Sequence, residues 1–446
     1  TRRRELWKRL GERLHPHEHA KHWPHAARVF AVARGEHVVR SAVARAELAA
    51  RRGDPVGASV ALSATPGVLL RWADRLLRSA GPDQRGQVVD GIARALPSAS
   101  GRVLCSLRSH LENADRPNPE RLFVTRRGRP HLEPETREPL PLDAAVRLAD
   151  LVDDEIARRL RPPGTLVVDP AILPVALPIS GKATADGHAV LPRGTTSRAA
   201  ASTDVLRFFI HWREAAYGTD FDLAVLFLDE EFRAVGQVSW TNLRDMGAVH
   251  SGDLTEAPDG ATEFIDVDLA ETTARYVVPQ VNVYSGEWFD EVAESLFGYM
   301  TVEPSAWRSP PFDPRAVRAR SELRGSGRVA LPVAFSRGVD GAWRATWMHL
   351  LLTGWPLINR VETNRVTTSS LVRDAVTRRV LTVRHLVDLL ARRAERIVVL
   401  PESPDRVDGL EEVDGAVTYL GLAPIAGLPE HAESITLERL GALIPS

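Results

Sequence analysis

Residues 204–269 read DVLRFFIHWREAAYGTDFDLAVLFLDEEFRAVGQVSWTNLRDMGAVHSGDLTEAPDGATEFIDVDL, and the pattern of this stretch decides the fold. Three apolar runs, Val205–Trp212, Leu223–Leu228 and Ala234–Trp240, are rich in β-branched and aromatic residues and are separated by polar or Gly-bearing segments of strand-connecting length. They predict a meander of strands. The acids gather at the strand ends: Asp220 and Asp222 before one run, Asp229–Glu231 after it, and Asp245, Asp253, Asp259 and Glu263 in the loops beyond. Between Asp204 and Glu294 there are 19 Asp/Glu against 5 Lys/Arg, a local charge of −14 in a chain whose formal net charge is −1. Such a concentration carries self-repulsion unless cations offset it.

The order FDL after a polar loop, then SWTNL, VHSGDL and DGATEFIDVDL, resembles the TerD family of tellurite-resistance and stress proteins. The family's pattern is an Asp-x-Asp before a strand, an Asn-rich turn, a His-x-Gly-Asp turn and an acidic loop ending in Glu before a Val-Asp-Leu strand. The upstream PRGTT of 192–196 is similar to the family's opening segment, and Gly325–Thr353 resembles its closing hairpin. The resemblance implies a β-sandwich that binds calcium, in a stress-response or tellurite-resistance-associated scaffold. Carried over residue by residue, it implies Asp220 and Asp222 from the Asp-x-Asp motif, Asn242 from the Asn turn, Asp253 from His250-Ser251-Gly252-Asp253, and Glu263 from the acidic loop. His250 is expected to pin its turn rather than to ligate a hard cation. The family's acidic loop has two further Asp directly before the Glu, where Ala261 and Thr262 stand here; one calcium ion is expected and the departure argues against a second, although Asp259 is a substitute for one lost ligand.

The residues themselves support the same chemistry. Calcium takes six to eight hard oxygen ligands in flexible geometry. Loops at one end of a sandwich supply such oxygens from distant sequence, and residues i and i+2 of an extended strand, here Asp220 and Asp222, present two carboxylates on one side. The alternative is that these acids only solvate loops and turn corners, where Asp is common.

At 446 residues the chain exceeds a single core, so several domains are expected. Its single cysteine, Cys105, excludes a disulfide framework or a Cys-rich zinc finger and sits in an apolar helical pattern. No apolar run approaches 18 residues and no export signal is evident, so a cytoplasmic protein is expected. The chain opens on Thr rather than Met and is read as a piece of a longer one; Arg greatly outnumbers Lys, as in GC-rich bacterial genomes.

The expected organisation is an N-terminal all-α, repeat-like array over 1–120, a strand, linker and helix connector over 121–165, the TerD-like sandwich over 166–358 and a small α/β module over 367–446. The first 130 residues carry 25 Lys/Arg against 12 Asp/Glu, with apolar residues at helical spacing and breaks at Gly53-Asp54-Pro55, Thr65-Pro66-Gly67 and Pro97–Gly101. The arginines are interleaved with the apolar face and no aromatic platform accompanies them, so a solvated face or a surface docked on the acidic middle domain is expected rather than a nucleic-acid site. HPHEHAKHWPH offers His15, His17, His19, His22 and His25, but Pro16 and Pro24 interrupt any helix and no carboxylate pair completes a site; no physiological metal is expected there.

Leu166–Asp169 and Val175–Ile179 look like edge strands of the sandwich, Ala274–Tyr284 a strand with Pro279 at an edge or bulge, Trp288–Tyr299 a short helix, and Val329–Phe335 with Trp343–Leu352 a hairpin around Gly338–Gly341. Thr367–Arg379 and Thr382–Ala394 read as helices, Arg396–Leu400 and Ala416–Leu420 as strands, and Thr436–Leu443 as a final helix. No catalytic residue is assigned. Asp-x-Asp also opens haloacid-dehalogenase-type phosphatases, but there the apolar strand precedes the motif, whereas Leu223–Leu228 follows it. The competing functions are a metal-independent protein–protein interaction scaffold and a metal-dependent phosphohydrolase. Protein partners are expected without being identified, and the oligomeric state is left open.

Overall fold

Proline and glycine set the element boundaries at the start of the chain. The computed structural model describes residues 4–36, 40–116, 118–179, 191–201, 204–302, 312–401, 406–409 and 415–445, and the chain divides into two compact units, Thr1–Ser98 and Ala99–Ser446. The first unit is helical: α1 (Arg4–Leu14), α2 (Pro24–Arg34), α3 (Ala42–Arg51), α4 (Pro55–Leu62), α5 (Pro66–Arg71), α6 (Ala73–Ser79) and α7 (Pro82–Ala93). Pro opens α2, α4, α5 and α7, where its missing N–H interrupts no helix bond. Gly53 takes φ 72° after α3, and Asp54 Oδ1 accepts from Gly57 N at 2.7 Å to cap α4. Leu62, Leu69, Leu76 and Ile92 are fully buried and form the core of this unit.

The second unit begins with α8 (Gly101–Leu111), a hairpin of β1 (Glu120–Val124) and β2 (Pro130–Pro134), α9 (Leu142–Arg159) and β3 (Thr165–Val168). Arg108 of α8 binds Asp153 of α9, whose Oδ1 also meets His385 Nε2 at 2.7 Å. Then come the strands of a sandwich: β4 (Thr196–Ala200), β5 (Val205–Arg213), β6 (Asp220–Leu228), β7 (Ala234–Val238), β8 (Arg244–Asp245), β9 (Ala248–His250), β10 (Ala261–Asp268), β11 (Tyr276–Ser285), β12 (Glu294–Val302), β13 (Val317–Glu322), β14 (Val329–Arg337) and β15 (Trp343–Leu352). They form two six-stranded antiparallel sheets, ordered β4-β15-β14-β11-β6-β7 and β13-β12-β5-β10-β9-β8.

The alternation along β6 explains why its run is apolar throughout. Phe221, Leu223, Val225 and Phe227 face the opposite sheet, joining Phe208, Trp212 and Phe335 in the core. Ala224, Leu226 and Leu228 face outward, where α10 (Val361–Thr377) covers them with Val361, Leu371 and Val372. A strand buried on both faces reads as a continuous apolar run, and each such Leu or Val contributes about 1.5–3 kcal/mol by leaving water. Pro279 lies within β11, at the irregularity that shifts the register against β14 between Val277 and Val281, so the missing ladder donor falls on a bulge.

α11 (Val383–Ala391) leads into the remaining strands, β16 (Arg396–Val399), β17 (Val417–Leu420) and β18 (Glu433–Ile435). With β3 they make a parallel sheet ordered β16-β3-β17-β18. Leu166–Asp169 therefore pairs here and not at a sandwich edge, while Val175–Ile179 forms no strand beyond a bridge between Ala176 and Thr382. The expected helix over Trp288–Tyr299 is also absent: Phe289 and Val292 enter the core from a turn, and Glu294–Val302 is β12, placed between β5 and β13. Local i,i+4 spacing loses here to pairing with two flanking strands, β5 along Glu294–Val302 and β13 along Leu296–Met300. Thr436–Leu443 winds as a 3-10 helix, Leu437–Leu443. Among the described residues no helix is long and apolar enough to cross a membrane.

One glycine of the sandwich is fixed by sterics. A Cβ at Gly298 of β12 would stand 2.3 Å from Phe209 Cζ and 2.8 Å from the Ala319 carbonyl oxygen. Gly298→Ala is expected to lower stability by about 1–3 kcal/mol, the usual range for overpacking, as read from the urea midpoint at unchanged m.

Candidate metal centre

β6 opens on Asp220-Phe221-Asp222, and the period of two settles where the acids go. Phe221 enters the core, stacking on Trp212 and meeting Phe289 edge-on, so Asp220 and Asp222 take the opposite face, the one α10 covers further along the strand. Across the ladder Asp222 stands opposite Asn282 of β11, and Asp220 opposite Ser285. Both acids are buried, Asp220 6 % and Asp222 2 % exposed.

The second wall comes from the other sheet, through an unpaired strand edge. β7 ends at Val238, the partner of Val225, so the backbone of Leu223 on that edge has no strand beside it. Buried backbone groups must still be satisfied. Glu263 Oε2 of β10 accepts from Leu223 N at 2.8 Å, and His250 Nε2 of β9 lies 3.1 Å from Leu223 O. His250 Nδ1 accepts from Gly252 N at 3.0 Å, which places the ring proton on Nε2 as the donor to that carbonyl. Glu263 Oε1 accepts from Leu254 N at 3.0 Å. The two side chains thus stitch the 251–254 turn to the start of β6. Asp253 lies in that turn, and Asp220, Asp222 and Asp253 each offer an oxygen within 4.8 Å of the others.

Among the described residues the opposing charge on this meeting is Arg360, and it does not offset the effect of burial and of the other acids. Burial, then Asp253 and Glu263, raise the Asp220 carboxyl to about 7. Burial again leads for Asp222, followed by Asp220, Glu263 and Asp253; Arg360 opposes them, and the carboxyl still rises to about 9. Asp220 Oδ1 and Asp222 Oδ2 are buried without a hydrogen-bond partner among the described residues. A buried acceptor without a donor is expensive, and like charges gathered out of water disfavour ionisation. A small cation relieves both at once. The donors are hard carboxylate oxygens, which suit calcium, magnesium or manganese rather than a soft metal. His250 has both ring nitrogens engaged and is not available as a ligand.

The residues singled out in the sequence fall into two groups. Asp220, Asp222 and Asp253 converge; Glu263 lies beside them with its oxygens on backbone N–H groups. Asn242 closes the turn after β7, exchanging backbone bonds with Ser239 and donating Nδ2 to Gln237 O at 2.9 Å. Asp259 is exposed and outside the converging group. Among the described residues the segment His15–His25 brings no comparable set together. Cys105 is buried, its thiol pushed up to about 12 by burial and then by Asp153, as a core residue would be.

Sequence reasoning missed Asn282 and Arg360. A signal for the first was present: Gln280 and Asn282 alternate with Val281 and Val283, marking a polar, buried outer face on an otherwise apolar strand. Arg360 stands just before α10 with its guanidinium 4.9 Å from the Trp240 ring, and nothing local connects it to an aspartate so far upstream.

No protein-family model and no curated protein matches the sequence. Among solved structures, the chain is similar to a homologue of the telluride resistance protein TerD from Streptomyces coelicolor A3(2), at 13% identity and a TM-score of 0.29, over 37% of this chain and 98% of that one. It is likewise similar to SAV2460, a protein of unknown function, at 13% identity and a TM-score of 0.29, over 38% of this chain and 98% of that one.

Proposed function

We propose that the chain binds one calcium ion through Asp220, Asp222 and Asp253 and serves as a TerD-like scaffold of the stress-response or tellurite-resistance kind. The observation that carries the ion is the pair of buried, unpartnered oxygens, Asp220 Oδ1 and Asp222 Oδ2, facing a third carboxylate. The kind of scaffold rests on the motifs that resemble the family, which also add Asn242 and Glu263 to the ligand set. In this reading β6 contributes two acids from a rigid strand and the 251–254 turn contributes the third. Glu263 and His250 hold that turn in place by their bonds to Leu223, so a cation meets a framework already folded. When bound, the ion would supply the positive charge that lets the Asp220 and Asp222 carboxylates stay ionised. Asp253 of the exposed turn would then be held to Asp220 and Asp222 of the core strand.

Metal content of the purified protein, followed by calorimetric titration of the chelated protein with calcium, tests the ion. Stoichiometric binding in the wild type and none in Asp222→Asn is the expected result. No binding heat in the wild type would remove the ion and leave a metal-independent interaction scaffold, and equal binding in both proteins would take the ion away from Asp222.

A further inference from the structure

We propose that α1 docks on an anionic lipid surface. At 100° per residue Leu6, Leu10 and Leu14 form one stripe of this helix, about 12 Å long. They are 55 %, 37 % and 56 % exposed, while Leu62, Leu69 and Leu76 elsewhere in the same unit are fully buried. The apolar flank beside the stripe is already used: the Trp7 ring lies 5.5 Å from Phe30 of α2, and buried Gly11 lets the Phe30 ring approach. Among the described residues the stripe itself has no such ring packed on it and stays exposed.

The charges around it are sorted. Arg9 and Arg13 follow the free margin of the stripe and are exposed. Arg4 and Lys8 lie beyond the Trp7 flank, where Arg4 Nε donates to Ala33 O at 2.8 Å and Lys8 Nζ donates to Glu5 at 2.9 Å. The acids, Glu5 and Glu12, take the side away from the leucines. This is the arrangement that suits a helix lying in a membrane interface: apolar side chains enter the acyl boundary, long basic side chains run up from the margins to the headgroups, and acids face water. Trp23, just before α2, is 69 % exposed and is an aromatic of the kind enriched at membrane interfaces. An 11-residue helix lies on such a surface and cannot span it.

Co-sedimentation of the full chain with vesicles tests the proposal. Vesicles of phosphatidylcholine containing about a third phosphatidylglycerol are expected to bind at least ten times more protein than phosphatidylcholine alone, since each basic residue at an anionic surface adds affinity. Leu6→Glu with Leu10→Glu should abolish binding to both. Because both leucines are exposed, circular dichroism should show the fold unchanged. Arg9→Glu with Arg13→Glu is a second variant with the apolar stripe intact, expected to lose the preference for anionic vesicles. Failure of the wild type to sediment with anionic vesicles overturns the proposal, as does unchanged binding of the leucine variant. So does a wild-type dimer that the leucine variant dissociates without any vesicle binding, which would assign the stripe to a second copy of the chain.

Discussion

The cation-free protein is expected to lose stability as pH rises from about 5 to 9, and calcium is expected to abolish that loss. The sign follows from Asp220, raised to about 7, and Asp222, raised to about 9, against an ordinary value of 3.8 for both. Between those limits the folded state holds protons that the unfolded chain has released, so stability falls with pH. The contribution is complete below about 4 and is lost as pH passes through the folded values. Calcium reverses the logic, because ligation needs the carboxylates ionised and binding expels their protons. At a hundredfold excess over the dissociation constant the ion adds about 2.7 kcal/mol, or about 5 °C for a unit of this size. Asp222→Asn makes the counter-intuitive part of the test. At pH 8 the fold keeps the Asp222 carboxyl largely protonated while the unfolded chain has released that proton; the amide is spared this cost, so in chelator at pH 8 the variant is expected to be more stable than the wild type by about 1–3 kcal/mol, while losing its response to calcium. Thermal unfolding at pH 5, 7 and 9, with chelator and with calcium, gives the answer. A variant that is less stable at pH 8 and still shifts with calcium would show that Asp222 is a packing residue and not a ligand.

Asp220 and Asp222 were legible because a strand's period of two is written in the sequence: once Phe221 is inside, its neighbours are on the other face. The hairpin around Gly338–Gly341 was legible for a similar reason, since turn chemistry is local. What was not legible depends on which strand lies beside which. Leu166–Asp169 has the same apolar character at a sandwich edge as in a parallel sheet, and only the pairing of β3 with β16 and β17 decides between them. Phe289, Val292 and Leu296 have helical spacing, yet two neighbouring strands claim the segment from Glu294 onward. Glu263 belongs to the same class. Its acidic loop pointed to a cation, while its closest bonds depend on where β7 happens to stop, which no short window of sequence records.

That dependence makes Glu263 the sharper test of how the site is built. Glu263→Ala leaves Leu223 N and Leu254 N without their buried acceptor. Two hydrogen bonds to a charged group are worth about 3–6 kcal/mol together, and some of that returns because Glu263 is among the acids that push up Asp220 and Asp222. A net loss of about 2–4 kcal/mol is expected in chelator, where no ion contributes. Glu263→Gln should fall between, since an amide offers one acceptor to two backbone donors and turns its NH2 toward the other. Urea unfolding in chelator measures the loss, and hydrogen exchange locates it: the Leu223 amide, protected in the wild type, should exchange fast in Glu263→Ala while the Val225 amide of the same strand, opposite Val238, stays protected. A residue that matters only as an ion ligand would do the reverse, keeping its stability in chelator within about 0.5 kcal/mol of wild type and losing only the calcium response. The two outcomes separate a strand edge that happens to border acids from a carboxylate whose place in the fold creates the setting for a cation.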